Sequence, residues 1–138
     1  MKKYKIGYTS GVYDMFHIGH LNLLKRAKEQ CEYLIVGVTT DELAQYKNKT
    51  PIIPYEERAQ IVESIKYVDK VVPQENMNKL EACKKLHADV IFVGDDWKGT
   101  EKWNQIEKDL ETIGAEVVYF PYTTGTSSTI LREKLLNR

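Results

Sequence analysis

Residues 6–40, IGYTSGVYDMFHIGHLNLLKRAKEQCEYLIVGVTT, place one helical pattern between two β-rich runs. The run from Ile6 to Val12 reads as a first strand. Leu21, Leu24, Ala27 and Cys31 then recur at steps of three and four, as the buried face of a helix does. YLIVGVTT, residues 33–40, is apolar and unbroken, the pattern of a strand covered on both faces.

The same alternation continues outward. DELAQYKNKTPIIP, residues 41–54, is polar with two prolines and reads as a short helix running into a loop. A helix over 55–65 leads to a strand at VDKVV, 68–72; helical residues 76–87 precede VIFVG, 90–94; a helix near 102–112 precedes EVVYF, 116–120; and residues 127–137 read as a last helix. Strands that alternate with helices favour a parallel sheet with helices on both faces. The expected fold is therefore α/β, a Rossmann-like three-layer domain with a parallel sheet of about five strands. Residues 1–138 carry no repeat, low-complexity tract or linker, so one domain is expected. In such sheets ligands bind beyond the carboxyl ends of the strands, near the switch in strand order.

Composition narrows the partners. Twenty basic residues balance twenty acidic ones, so the basic footprint of a general nucleic-acid binder is missing. No apolar run approaches the roughly 20 residues of a membrane span, and the interrupted N-terminal stretch is a poor leader. Two cysteines, Cys31 and Cys83, are too few for a disulfide framework and read as core thiols of a soluble, cytoplasmic protein.

Three clusters fall just past strand ends. The first is Gly11, Asp14, His17, Gly19 and His20, where the first strand gives way to its helix. A helix N-terminus offers unpaired backbone N–H groups and a partial positive charge, which together attract phosphate. Gly19 would let an anion approach the backbone, and the two imidazoles would add donors. Alternatively His17 caps the helix and His20 is satisfied in the core. Zinc fits less well, because the zincin pattern spaces histidines four apart around a glutamate and only His87 remains as a further histidine. The second cluster, TTGTSST at 123–129, sets six hydroxyls around Gly125, more than a helix cap needs. It reads either as a second phosphate cradle or as a solvated turn. The third, GDDW at 94–97, could hold a metal, a ribose or a polar head through Asp95 and Asp96, with Trp97 as a wall. It could equally open a turn. Lys47 and Lys49 either reach a phosphate or stay solvated.

These residues together resemble a known family. GVYDMFHIGH resembles the G-x-F-D-x-x-H-x-G-H signature of the cytidylyltransferase group of nucleotidyltransferases, and TTGTSST resembles its second signature, R-T-x-G-x-S-T-T. YVDKVVP and VGDDW also look like segments of this group, with the bacterial branch that acts on glycerol 3-phosphate most similar. The resemblance implies transfer of CMP from CTP to a small phosphorylated alcohol, with release of pyrophosphate, in a homodimer that uses Mg²⁺. It implies catalytic roles for His17, His20 and Lys47. Gly11, Asp14, Gly19, Gly125, Ser127, Ser128 and Thr129 would bind the nucleotide, and Lys49, Asp95, Trp97 and Tyr122 the substrate. Arg58 and Asp69 match positions near the family's site or dimer contact. Tyr122 stands where the second signature has arginine, and Val12 where the glycerol branch has threonine. Two other readings stay open: phosphocholine, phosphoethanolamine or another polyol phosphate as acceptor, and a non-catalytic CTP sensor. ATP in place of CTP is a further variant, since adenylyltransferases share the histidine signature.

Overall fold

The computed structural model describes residues 2–46, 48–121 and 133–136. Its elements run β1 (Tyr4–Gly11), α1 (Ile18–Gln30), β2 (Cys31–Thr39), α2 (Asp41–Tyr46), α3 (Tyr55–Glu63), β3 (Lys70–Gln74), α4 (Lys79–Leu86), β4 (Val90–Gly94), a 3₁₀ turn (Asp95–Trp97), α5 (Glu101–Glu111) and β5 (Glu116–Phe120). Residues 133–136 are also helical. The five strands are parallel, in the order β3-β2-β1-β4-β5. The expected α/β sandwich with a five-stranded parallel sheet is what forms.

Alternation along the central strands divides the core in two. Leu34, Val36, Val38, Val90 and Phe92 face α1 and α3 with Leu24, Ala27 and Val62; Ile35 and Ile91 face α4 and α5 with Cys83, Trp103, Ile106 and Leu110. Both faces are therefore covered, which is why β2 and β4 read as unbroken apolar runs. Both cysteines are buried free thiols, as expected. Gly7 lets the layers close: a Cβ there would lie 2.5 Å from Phe92 Cε2 and 2.9 Å from Cys31 Sγ.

Three of the boundaries that differ from the sequence pattern have a visible cause. Cys31, assigned to the face of α1, is the first residue of β2. Its backbone is extended, while its Sγ still donates to Ala27 O of the helix at 3.3 Å. β3 begins at Lys70 rather than Val68, because Asp69 ends the approach by accepting from Leu34 N at 2.7 Å and pairing with Lys28 at 2.5 Å. α4 begins at Lys79 because Asn78 caps it, accepting from Glu81 N at 3.0 Å.

From β1 the chain winds outward to β2 and β3, then crosses back over the sheet to β4 and β5. The strand order reverses between β1 and β4, so the crevice expected of such sheets opens beyond their carboxyl ends. Thr9, at 2% exposure, joins the two strands there by donating its hydroxyl to Phe92 O at 2.8 Å.

Candidate active site

The loop from β1 to α1 is built against backbone preference. Tyr13 and Met15 both adopt left-handed φ, 55° and 49°, and each costs on the order of 1–2 kcal/mol in a residue with a side chain. The loop then delivers His17 as the N-cap of α1. His17 Nδ1 accepts from Gly19 N at 3.1 Å, and His20 Nδ1 accepts from the His17 backbone N–H at 3.2 Å. This is a reciprocal capping box in which histidines take both the cap and the third-position roles. Capping was one of the two readings of His17, and it holds.

The cap also fixes the proton. With both Nδ1 atoms accepting, the proton of each neutral ring sits on Nε2, so each imidazole presents an N–H donor from its far edge. The rings stack with centroids 3.8 Å apart, and His20 is flanked by Tyr13 at 5.2 Å and Phe16 at 5.3 Å. Burial lowers His20 most, the neighbouring His17 lowers it further and Asp14 partly opposes them, leaving it at about 4. Burial also lowers His17 from 6.5. At neutral pH the pair is therefore two uncharged donors at the positive end of a helix whose first turn has no acidic residue. That arrangement suits an anion: donors are fixed before it arrives, and no acidic side chain stands in the helix's first turn.

Beneath the pair, Asp14 and Arg58 tie the neighbouring loops together. Asp14 is 2% exposed, and its two oxygens accept from Ile52 N at 2.8 Å and Ile53 N at 2.9 Å. Arg58, 1% exposed on α3, donates from Nε to Ile53 O at 2.8 Å. Its Nη1 reaches Val12 O at 2.7 Å and Thr39 O at 2.8 Å, and its Nη2 reaches Asp41 Oδ1 at 2.6 Å. The segment following Lys49 is thus pinned to both the β1–α1 loop and the end of β2, and Lys49 itself is exposed on it.

The other expected residues divide clearly. Gly11 closes β1, and its missing Cβ leaves room for the Tyr13 ring, which would otherwise lie 3.2 Å away. Asp95 and Trp97 form the exposed 3₁₀ turn at the carboxyl end of β4, on the histidines' side of the sheet, with Trp97 46% exposed. Asp69 is at the opposite end, holding the start of β2 to α1. Lys47, Tyr122, Gly125, Ser127, Ser128 and Thr129 lie outside the described residues. Among the described residues no group of three or more His, Cys, Asp or Glu side chains is arranged to hold a metal ion.

Lys79 was not singled out from the sequence. It is 8% exposed at the first position of α4, donates to Ser10 Oγ at 2.8 Å beside the end of β1, and lies 6.0 Å from the Trp103 ring centroid. A lysine opening a helix looks like a solvated one in sequence. Only the crossover from β3 to β4 brings it over the sheet.

Comparison with known proteins agrees with this geometry. The family model described as cytidylyltransferase-like matches residues 8–134. The glycerol-3-phosphate cytidylyltransferase of Staphylococcus aureus is 39% identical over 131 residues, 94% of each chain, and that of Bacillus subtilis is 39% identical over 92% of this chain and 94% of its own. An FAD synthase of Pyrococcus abyssi is 41% identical over 83% of this chain and 78% of its own. Among solved structures, the lipopolysaccharide core biosynthesis protein of Thermoplasma volcanium superposes with a TM-score of 0.74 at 24% identity, over 89% of this chain and 99% of that one. That likeness concerns the fold alone. The family-model match and the near-full-length likeness together establish that this chain belongs to the cytidylyltransferase-like family.

Proposed function

We propose that the protein transfers CMP from CTP to glycerol 3-phosphate, giving CDP-glycerol and pyrophosphate. The observation that carries the reading is the 39% identity to glycerol-3-phosphate cytidylyltransferases along 94% of both chains. The site's chemistry supports it. The acceptor is a phosphate monoester whose second pKa is about 6, so at neutral pH it is largely a dianion and needs no general base. One of its oxygens bonds to the α-phosphorus of CTP while the bond from that phosphorus to the bridging oxygen breaks, and the electron pair leaves with pyrophosphate. The protein's task is to gather anions and bear the charge that develops on the departing group. The Nε2–H donors of His17 and His20, at the positive end of α1, serve that task without moving a proton. Lys47, Lys49 and the Ser127–Thr129 segment would add further phosphate contacts.

Mg²⁺ would enter with the triphosphate, held by phosphate oxygens and water with at most one or two carboxylates, and would neutralise the leaving group's charge. Asp95, at the end of β4, is available to such an ion. A homodimer accords with the family resemblance, and a cytoplasmic setting with two buried, unpaired cysteines. Among the described residues no helix is long and apolar enough to cross a membrane.

The test is pyrophosphate release with Mg²⁺, crossing CTP and ATP against glycerol 3-phosphate, phosphocholine, phosphoethanolamine and FMN. The expected result is release with CTP and glycerol 3-phosphate. Release only with ATP would move the reading to adenylyl transfer, the alternative that the FAD synthase likeness favours. Binding of CTP with no release across the panel would leave a sensor. Light scattering of the same preparation tests the dimer, with a monomer mass counting against it.

A further inference from the structure

We propose that Arg58 is a positioning residue: with Asp14 it closes a hydrogen-bonded ring around Tyr13, locks that residue's left-handed backbone, and so holds the Tyr13 ring against the His20 imidazole. The inference rests on the proposed transfer reaction only for its kinetic readout.

The ring can be traced atom by atom. Arg58 Nη1 donates to Val12 O, Val12 leads through Tyr13 to Asp14, Asp14 Oδ1 accepts from Ile53 N, and Ile53 O accepts from Arg58 Nε. Tyr13 is enclosed between two anchored neighbours, and it holds the φ of 55° that an unrestrained tyrosine avoids. Its side chain is 6% exposed and meets His20 edge-on at 5.2 Å, while Phe16 stacks on it at 6.3 Å. The hydrogen bonds of the Arg58 side chain go to Ile53, Val12, Thr39 and Asp41 rather than to either histidine. Through Thr39 O and Asp41, Arg58 also registers the end of β2 against the same loop. A planar guanidinium serves four acceptors in fixed directions. A lysine keeps the charge but cannot span them.

The consequence is specific to His20. If the ring loosens, Tyr13 is released to relax, the imidazole gains water and its Nε2–H loses its fixed direction. A displacement near 1 Å at a catalytic group is worth up to about a hundredfold in rate. Asp14 and His17 are the charged or titratable groups that act on His20, and neither is replaced in the variants below.

The experiment compares wild type, Arg58→Lys, Tyr13→Leu and Val62→Ala in two readouts. The first is the His20 side-chain titration by NMR, which needs no substrate. The second is kcat and KM for CTP and glycerol 3-phosphate. Val62 is fully buried on α3 one turn from Arg58 and outside the ring, so its variant reports simple destabilisation. The expected result is that Arg58→Lys and Tyr13→Leu both move the His20 titration toward 6.5 and lower kcat by about 10- to 100-fold, with each KM changed by less than about threefold. Val62→Ala lowers the melting temperature and leaves the titration where it was. A folded Arg58→Lys protein with wild-type His20 titration and kcat overturns the proposal. Should Arg58→Lys not fold, an unmoved titration in Tyr13→Leu overturns it equally. Should wild type transfer no CMP, the functional reading fails while the titration still decides the positioning role.

Discussion

Replacing His20 with glutamine separates the titration of the imidazole from its role in the helix cap. Glutamine is the usual third-position partner of a capping box, so its side-chain oxygen can still accept from the His17 backbone N–H, as His20 Nδ1 does at 3.2 Å. What the variant loses is the proton-binding site. In the unfolded chain His20 takes a proton near 6.5, and in the folded protein only near 4. Between those values the unfolded state binds more protons, so stability falls as the pH drops through the window and is fully retained above it. At pH 4.5 most of the gap has been traversed, and at about 1.4 kcal/mol per pH unit the wild type should have lost about 2.5 kcal/mol from this group. The other titrating groups are present in both proteins, so the difference between their losses reports His20 together with its coupling to His17. Urea unfolding of wild type and His20→Gln at pH 7.5 and pH 4.5 measures the quantity: the wild type should lose about 2.5 kcal/mol more than the variant. Parallel losses would mean that His20 titrates normally in the folded protein and that the picture of a buried, neutral donor is wrong.

His17→Ala should lower pyrophosphate release by roughly a hundredfold or more, the scale of one lost transition-state donor; near-normal turnover in a folded variant would remove it from the mechanism. Gly7→Ala should destabilise by about 1–3 kcal/mol through overpacking against Phe92 and Cys31, seen as a lowered midpoint in thermal melts, and an unchanged midpoint would show that the layers can part there. Arg58→Met should cost at least about 3 kcal/mol, because four acceptors, one buried and three partly buried, lose their donor at about 1–3 kcal/mol each; equilibrium unfolding checks it, and a loss below about 1 kcal/mol would show that water replaces the guanidinium.

Much of the site was legible because its residues are adjacent in the chain. Gly11, Asp14, His17, Gly19 and His20 fall within ten residues, so spacing alone placed both histidines at a helix start. Whether they capped the helix or faced a ligand read as alternatives. The structure shows that each Nδ1 atom is used by the cap, which leaves the opposite edge of each ring as the donor that the ligand reading needs. Lys79 was not legible from pattern and Arg58 was placed only by resemblance, since a buried cation on a mixed helix has the same spacing as a solvated one. Their partners lie 5 to 46 residues away for Arg58 and 69 for the Ser10 contact of Lys79.

The sequence by itself determined the parallel α/β architecture, because unbroken apolar runs, the mark of doubly covered strands, alternate with segments whose apolar residues recur at steps of three and four. It also determined which loop carries the paired histidines. The tertiary structure alone decided the strand order, whose reversal between β1 and β4 opens the crevice, and the protonation of the site. Burial acts through neighbours brought from elsewhere in the chain, and hydrogen bonds that span loops depend on how those loops are brought together. Neither is written in the local spacing of residues.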